Sequence, residues 1–69
     1  SALAISDAGC AAALCGAALQ AAALNVRINT KSMKNRVAAE EIDAETDELL
    51  QKYSTIAQEI YKRVYGRLS

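Results

Sequence analysis

The feature that most constrains the fold is a stretch of nineteen residues, 8–26, that carries no formal charge and is rich in alanine. Alanine is the strongest helix former because it loses no side-chain entropy in a helix, and no proline interrupts the chain. The sequence therefore predicts an apolar helix over residues 1–28. At about 1.5 Å per residue, the uncharged stretch would be about 28 Å long, which is close to the thickness of a bilayer core.

This predicted helix is apolar on every side. Leu14, Leu19 and Leu24 recur every five residues, and a rotation of about 100° per residue distributes them around the axis. A helix of this kind is buried in protein or lies in a membrane. Small residues would let a second helix approach closely, although an alanine-rich sequence produces rows of small residues by composition alone. The predicted helix-packing rows are Ala8, Ala12 and Gly16, and Gly9, Ala13, Ala17 and Ala21.

The second half of the chain has a different pattern and predicts an amphipathic, charged helix over residues 37–69. Its apolar residues recur at helical spacing and form one stripe. Acidic residues crowd its amino end and basic residues its carboxyl end, as the helix dipole prefers; Asp43 or Thr46 would cap it if it started late. The predicted docking stripe, which would pack on the first helix or on another copy, consists of Ile42, Leu49, Tyr53, Ile56, Ile60 and Val64.

A basic connector, residues 29–36, lies between the two predicted helices. It contains Asn, Thr and Ser residues that favour turns, but neither glycine nor proline, so that nothing forces a reversal. The predicted fold class is therefore all-α, either as a helical hairpin or as one bent rod. Two helices bury too little surface to form a substantial core, and we expect the chain to be stable only when assembled.

The net charge is zero, but the charges are segregated into basic and acidic segments. Such segments would let the acidic part of one copy meet the basic part of another, although a solvated surface would carry the same charges. The residues predicted to take part in charge complementarity are Arg27, Lys31, Lys34, Arg36, Glu40, Glu41, Asp43, Glu45, Asp47 and Glu48.

No catalytic, cofactor-binding or metal-binding motif is found, and the chain has no histidine. Cys10 and Cys15 point in different directions on a helix and cannot pair with each other. We interpret them as small apolar residues, with crosslinks between copies or lipid attachment as alternatives. Two helices offer hardly a pocket. We therefore expect no enzyme, cofactor or small-molecule substrate, and no nucleic-acid partner, because the basic segment has no interleaved aromatic residues and is followed by acidic ones.

These patterns favour a non-enzymatic, self-assembling structural subunit of a pilus- or coat-like helical filament. The first helix would pack in its dry interior against copies of itself. The alternatives are a small single-span membrane accessory protein, with lipid as its partner, and a secreted membrane-active peptide of the bacteriocin or toxin type. Because the chain begins at Ser1 without methionine, we expect a removed leader and a location in an extracellular assembly or a membrane.

Overall fold

The chain folds into two antiparallel α-helices joined by a short turn, as seen in a computed structural model that describes all 69 residues. Helix α1 spans Ala2–Thr30 and helix α2 spans Arg36–Leu68, without any strand. The hairpin measures 52 × 15 × 13 Å. The all-α prediction is confirmed, and the hairpin, not the bent rod, is the arrangement that forms.

A side-chain cap begins each helix, and the turn between the helices forms without glycine or proline. The Ser1 hydroxyl accepts a hydrogen bond from the Ala4 amide at the start of α1. Asn35 caps α2, since its Oδ1 accepts from the Ala38 amide at 3.0 Å. No residue has a positive φ, so the turn requires none of the backbone freedom of glycine. Because α2 starts at Arg36, the caps considered for a later start, Asp43 and Thr46, lie inside the helix.

The two helices meet along a seam of small residues. A Cβ atom placed on Gly9 would lie only 2.7 Å from Val64 Cγ1, and one on Gly16 would lie 3.9 Å from the Ala57 Cβ. In both pairs the residue numbers sum to 73, which defines the antiparallel register. Small side chains allow this close approach of the two backbones. The buried residues are Gly9, Ala12, Thr30, Ala39 and Ala57.

Most apolar side chains remain uncovered in the hairpin. Only five of the 69 residues are buried, and Leu14 and Leu24 are each 72% exposed. By length and composition α1 would be able to cross a membrane, but core helices of soluble proteins pass the same test. The hairpin therefore has no substantial core of its own, and further packing partners would stabilise it.

Candidate functional site

The side-chain contacts between charged and polar groups are concentrated where α1 enters the turn. Arg27 Nη1 lies 3.3 Å from Asp43 Oδ2, and Arg27 Nη2 lies 2.7 Å from Asp47 Oδ2. The Thr30 hydroxyl donates to Asp43 Oδ1 at 2.6 Å. We call Arg27, Thr30, Asp43 and Asp47 the turn cluster. Its members make all the hydrogen bonds between side chains in the structure.

The two carboxylates of the turn cluster differ in exposure and in free bonding capacity. The Asp43 side chain is 17% exposed, and each of its oxygens accepts a hydrogen bond. The Asp47 side chain is 57% exposed, and only its Oδ2 is engaged. Asp47 Oδ1 is therefore open to water or a ligand. With one guanidinium and two carboxylates, the turn cluster carries a net negative charge.

Arg36 fixes the backbone next to the turn cluster. Its Nη1 donates to the carbonyl oxygens of Thr30 at 2.9 Å and Met33 at 3.1 Å. The last carbonyls of a helix lack partners within the helix, and a cation is favourable at this end. Thr30 is thus held by Arg36 through its backbone and by Asp43 through its side chain.

Asp47 also lines a shallow groove on one flank of the seam, which we call the polar groove. Amide and hydroxyl side chains predominate there, and these groups can both donate and accept hydrogen bonds. The polar groove therefore suits a ligand with several hydrogen-bonding atoms. It is lined by Gln20, Asp47, Leu50, Gln51, Ser54, Thr55 and Gln58.

The other flank of the seam carries a groove of about 800 Å³ whose lining is almost entirely apolar, and we call it the apolar groove. Helix α1 contributes mostly small residues and α2 mostly large ones. The Tyr53 hydroxyl is the one strong hydrogen-bonding group among these side chains. Because several placed polar groups are needed to orient a polar substrate, we take the polar flank as the candidate substrate site. The apolar groove is lined by Ala8, Ala11, Ala12, Cys15, Ala18, Leu19, Ala22, Tyr53, Ile56, Ala57 and Ile60.

The predicted helix-packing residues are divided among several surfaces. Gly9 and Ala12 are buried at the seam, and Gly16 lies beside Ala57. Ala8 lines the apolar groove, and Ala21 is exposed. The remaining two, Ala13 and Ala17, line a shallow depression on the polar flank. The surface that α1 presents to α2 therefore takes members from both predicted rows.

The predicted docking stripe is only partly used within the chain. Val64 packs over Gly9, whereas Tyr53, Ile56 and Ile60 line the apolar groove. Ile56 and Ile60 remain 42% and 41% exposed. Ile42 and Leu49, nearer the turn, are exposed as well. Most of the stripe therefore remains available for a further contact.

Three of the residues predicted for charge complementarity, Arg27, Asp43 and Asp47, form ion pairs within a single chain and belong to the turn cluster. Arg36 binds carbonyl oxygens. The others are exposed and form no ion pair: Lys31, Lys34, Glu40, Glu41, Glu45 and Glu48.

Sequence reasoning named Arg27, Asp43 and Asp47 among the charged residues but did not bring them together, and it treated Thr30 only as a turn former. A usable signal was present: Arg27 and Thr30 are three residues apart and Asp43 and Asp47 four, so that each pair lies on one helical face. Cys10 and Cys15 are free and exposed. No group of three or more His, Cys, Asp or Glu side chains is placed to hold a metal ion.

Residues 1–48 match the formiminotransferase-cyclodeaminase family. The matched region comprises α1, the turn and the beginning of α2, and it contains the whole turn cluster. The match extends over more than half of the chain, and the chain therefore belongs to the formiminotransferase-cyclodeaminase family.

A curated relative is the methenyltetrahydrofolate cyclohydrolase of Methylorubrum extorquens. The two are 38% identical over 65 residues, which cover 94% of this chain and 31% of the relative. The chain thus spans about a third of the length of that enzyme. No solved structure matches the chain.

Family membership overturns the functional prediction made from the sequence. The non-enzymatic, pilin-like filament subunit is wrong, as are the membrane accessory protein and the membrane-active peptide, because the family is named for two enzyme activities and the relative is a cyclohydrolase. The prediction that the chain is not an enzyme is wrong for the same reason. The prediction that it has no small-molecule substrate has no support. The error arose because a helix that is apolar all round requires neighbours, but its sequence does not say that they are copies in a filament.

Proposed function

We propose that the chain binds methenyltetrahydrofolate and carries the residues that catalyse its hydrolysis. The observation that carries this proposal is that the region matching the family, residues 1–48, contains all members of the turn cluster. The named activity of the relative supplies the substrate class.

The chemistry of this substrate suits the charge of the turn cluster. The methenyl bridge is an amidinium carbon that carries positive charge. Water adds to that carbon and loses one proton to a base. One carbon–nitrogen bond then breaks, the freed nitrogen takes the remaining hydroxyl proton, and a formyl group results. A net negative cluster stabilises the bound cation, and a carboxylate within reach of the water can accept its proton as general base.

Asp47 is the residue that we assign to this role. Its Oδ1 has no hydrogen-bond partner, and its side chain, which lines the polar groove, is 57% exposed, whereas both oxygens of Asp43 are engaged. Asp43 and Thr30 are positioning residues that hold Arg27, and Arg27 in turn fixes Asp47 Oδ2. Gln20 and Gln51 in the polar groove supply amides for the hydrogen-bonding edge of a pterin ring.

The test is hydrolysis of methenyltetrahydrofolate by the purified chain, followed by the loss of substrate absorbance. We expect a rate above that in buffer alone, and a drop of roughly 10²-fold or more for Asp47→Asn, because a general base contributes roughly 10² to 10⁴-fold. Glu48→Gln is the matched control, since Glu48 is exposed and forms no ion pair.

Two results would overturn the proposal. A wild-type rate no faster than buffer would remove the catalytic assignment. Equal rates for wild type and Asp47→Asn, with matching helical circular dichroism, would remove Asp47 from the reaction while leaving the family assignment in place.

A further inference from the structure

We propose that Lys31 binds a carboxylate of the glutamate tail of the substrate, an inference that rests on the proposed function. A folate consists of a pterin, an aminobenzoyl ring and a glutamate, and the methenyl carbon bridges the pterin to the nitrogen of the aminobenzoyl group. The glutamate carries two carboxylates that are ionised at neutral pH. A cation at a matching distance from Asp47 would therefore strengthen substrate binding.

The positions proposed for the pterin and the methenyl carbon define the direction of the tail. Gln51 follows Asp47 by one helical turn on α2, towards the open end of the hairpin. Gln20 lies farther in the same direction, level with residue 53, because paired residue numbers sum to 73. With the pterin edge on these two amides and the methenyl carbon at Asp47, the aminobenzoyl glutamate points the other way, towards the turn.

Helix α1 presents a suitable row of side chains along this path. Spacings of 4, 3 and 4 residues place four side chains on one helical face: Gln20, Leu24, Arg27 and Lys31. Lys31 stays on this face although α1 ends at Thr30, because its backbone remains helical at φ −57° and ψ −33° and its amide donates to the Arg27 carbonyl oxygen. Leu24 is 72% exposed and offers an apolar contact for the aminobenzoyl ring.

Lys31 is the unpaired cation on this face. Arg27 is engaged by both carboxylates of the turn cluster, whereas Lys31 is exposed and forms no ion pair. On α2, the exposed Glu40 lies seven residues before Asp47 and therefore on the same face. Its charge, together with the net negative turn cluster, repels a carboxylate from α2 and favours a path along α1 to Lys31.

The separation of Asp47 and Lys31 fits the length of the tail. Lys31 lies level with residue 42 in the same register, which is about 7.5 Å from Asp47 along the axis. Because packed helix axes are about 8–10 Å apart, the two Cα atoms are about 12 Å apart. An extended tail measures about 11 Å from the methenyl carbon to its first carboxylate, at bond lengths of about 1.3–1.5 Å. The flexible lysine side chain adjusts to the remaining difference.

The test compares the substrate with its diamide, in which neutral amides replace both glutamate carboxylates. Lys31→Met removes the charge and keeps a long side chain. For methenyltetrahydrofolate we expect KM to rise about three- to fivefold, the contribution of an exposed charge pair, with kcat unchanged because the contact is the same in the ground state and the transition state. For the diamide, wild type and Lys31→Met should have equal KM values.

Lys62→Met is the matched control. Lys62 also lies on the polar flank, is exposed and forms no ion pair, but it lines the depression beyond the proposed pterin position. A rise in KM for Lys62→Met in place of Lys31→Met would overturn the inference and show that the tail points towards the open end. Equal KM values for Lys31→Met and wild type would also overturn it, while hydrolysis by the wild type and its loss in Asp47→Asn would leave the proposed function intact.

A binding measurement tests the tail site without any turnover. Isothermal titration calorimetry with folate and with folate diamide should show that the wild type prefers folate about three- to fivefold. This preference should disappear in Lys31→Met and remain in Lys62→Met, a result that would support the tail site even if the chain showed no hydrolysis. A wild type without any preference for folate would overturn the inference.

Discussion

The two ends of the hairpin are held together by different chemistry. At the turn end, Arg27 and Thr30 bind Asp43 through directional hydrogen bonds. At the open end, Gly9 and Val64 are in contact because glycine has no side chain to keep the helices apart. Directional bonds require particular atoms, whereas close packing requires particular volumes. The two ends should therefore respond to different substitutions, and changes at each end can be ranked by their expected effect.

The largest effect is expected at the open end, from Gly9→Ala. The new Cβ would lie 2.7 Å from Val64 Cγ1, and overpacking of this kind costs about 1–3 kcal/mol. The cost should lie at the upper end of this range because the β-branched Val64 side chain is stiff. The gain in helix propensity, about 1 kcal/mol, offsets part of it, and we expect a net loss of about 2 kcal/mol. Urea unfolding followed by circular dichroism, at one fixed protein concentration, measures it.

The control is Gly16→Ala, a second glycine on the same helix. Its Cβ would meet the Ala57 Cβ at 3.9 Å, an ordinary contact. This variant should be more stable by up to about 1 kcal/mol. Equal effects of the two substitutions would show that the open end is not closely packed.

At the turn end, Asp43→Ala should cost about 1.5 kcal/mol in unfolding free energy. It removes the acceptor of the Thr30 hydroxyl and one of two carboxylates bound by Arg27, and hydrogen bonds to charged groups contribute about 1.5–3 kcal/mol before solvent exposure weakens them. Thermal unfolding detects the change. Glu45→Ala, at an exposed residue without an ion pair, should leave the midpoint unchanged, and a loss equal to that of Asp43→Ala would contradict the role of the cluster.

Asn35→Ala should cost about 1 kcal/mol, because the helix cap that accepts from the Ala38 amide would be lost. Asn35→Asp keeps an accepting oxygen and should retain most of the stability. The comparison is made by urea unfolding, and an alanine variant as stable as the aspartate variant would show that the cap does not define the start of α2.

The smallest effect on stability is expected for Asp47→Ala, below about 0.5 kcal/mol, because both partners of its ion pair are more than half exposed. Repeating the measurement at 1 M salt should abolish the difference, since salt screens exposed charges. A larger loss that persists in salt would make Asp47 a structural residue. A small loss, together with the reduced hydrolysis expected for Asp47→Asn, would separate its part in the reaction from stability.

The sequence predicted the helices well because alanine and the amphipathic stripe act locally. It could not predict which small residues would lie at the seam. In an alanine-rich helix the sequence pattern does not distinguish Ala8 from Ala12. The position of α2 buries Ala12 and leaves Ala8 exposed at the apolar groove. The hairpin was likewise undetermined, because Arg36 stabilises the turn through a hydrogen bond to the Thr30 carbonyl oxygen that forms only after the chain has reversed.

The candidate site was less predictable than the fold. Asp43 and Asp47 belong to a segment with many carboxylates, and their four-residue spacing does not single them out, because Glu41 and Glu45 have the same spacing. Arg27 binds these two aspartates because the antiparallel register of the helices places them opposite it across the seam. The function was mispredicted because a hairpin of this size does not enclose a pocket, whereas the relative is about three times as long.

The antiparallel register also sets the order in which the chain can fold. Thr30 and Asp43 are thirteen residues apart. Gly9 and Val64, whose residue numbers also sum to 73, belong to the same register and are 55 residues apart. Closing a short loop costs less chain entropy than closing a long one. Pairing should therefore begin at the turn and proceed like a zipper towards the termini, with the turn cluster as the nucleus, so that substitutions there slow folding while Gly9→Ala mainly speeds unfolding.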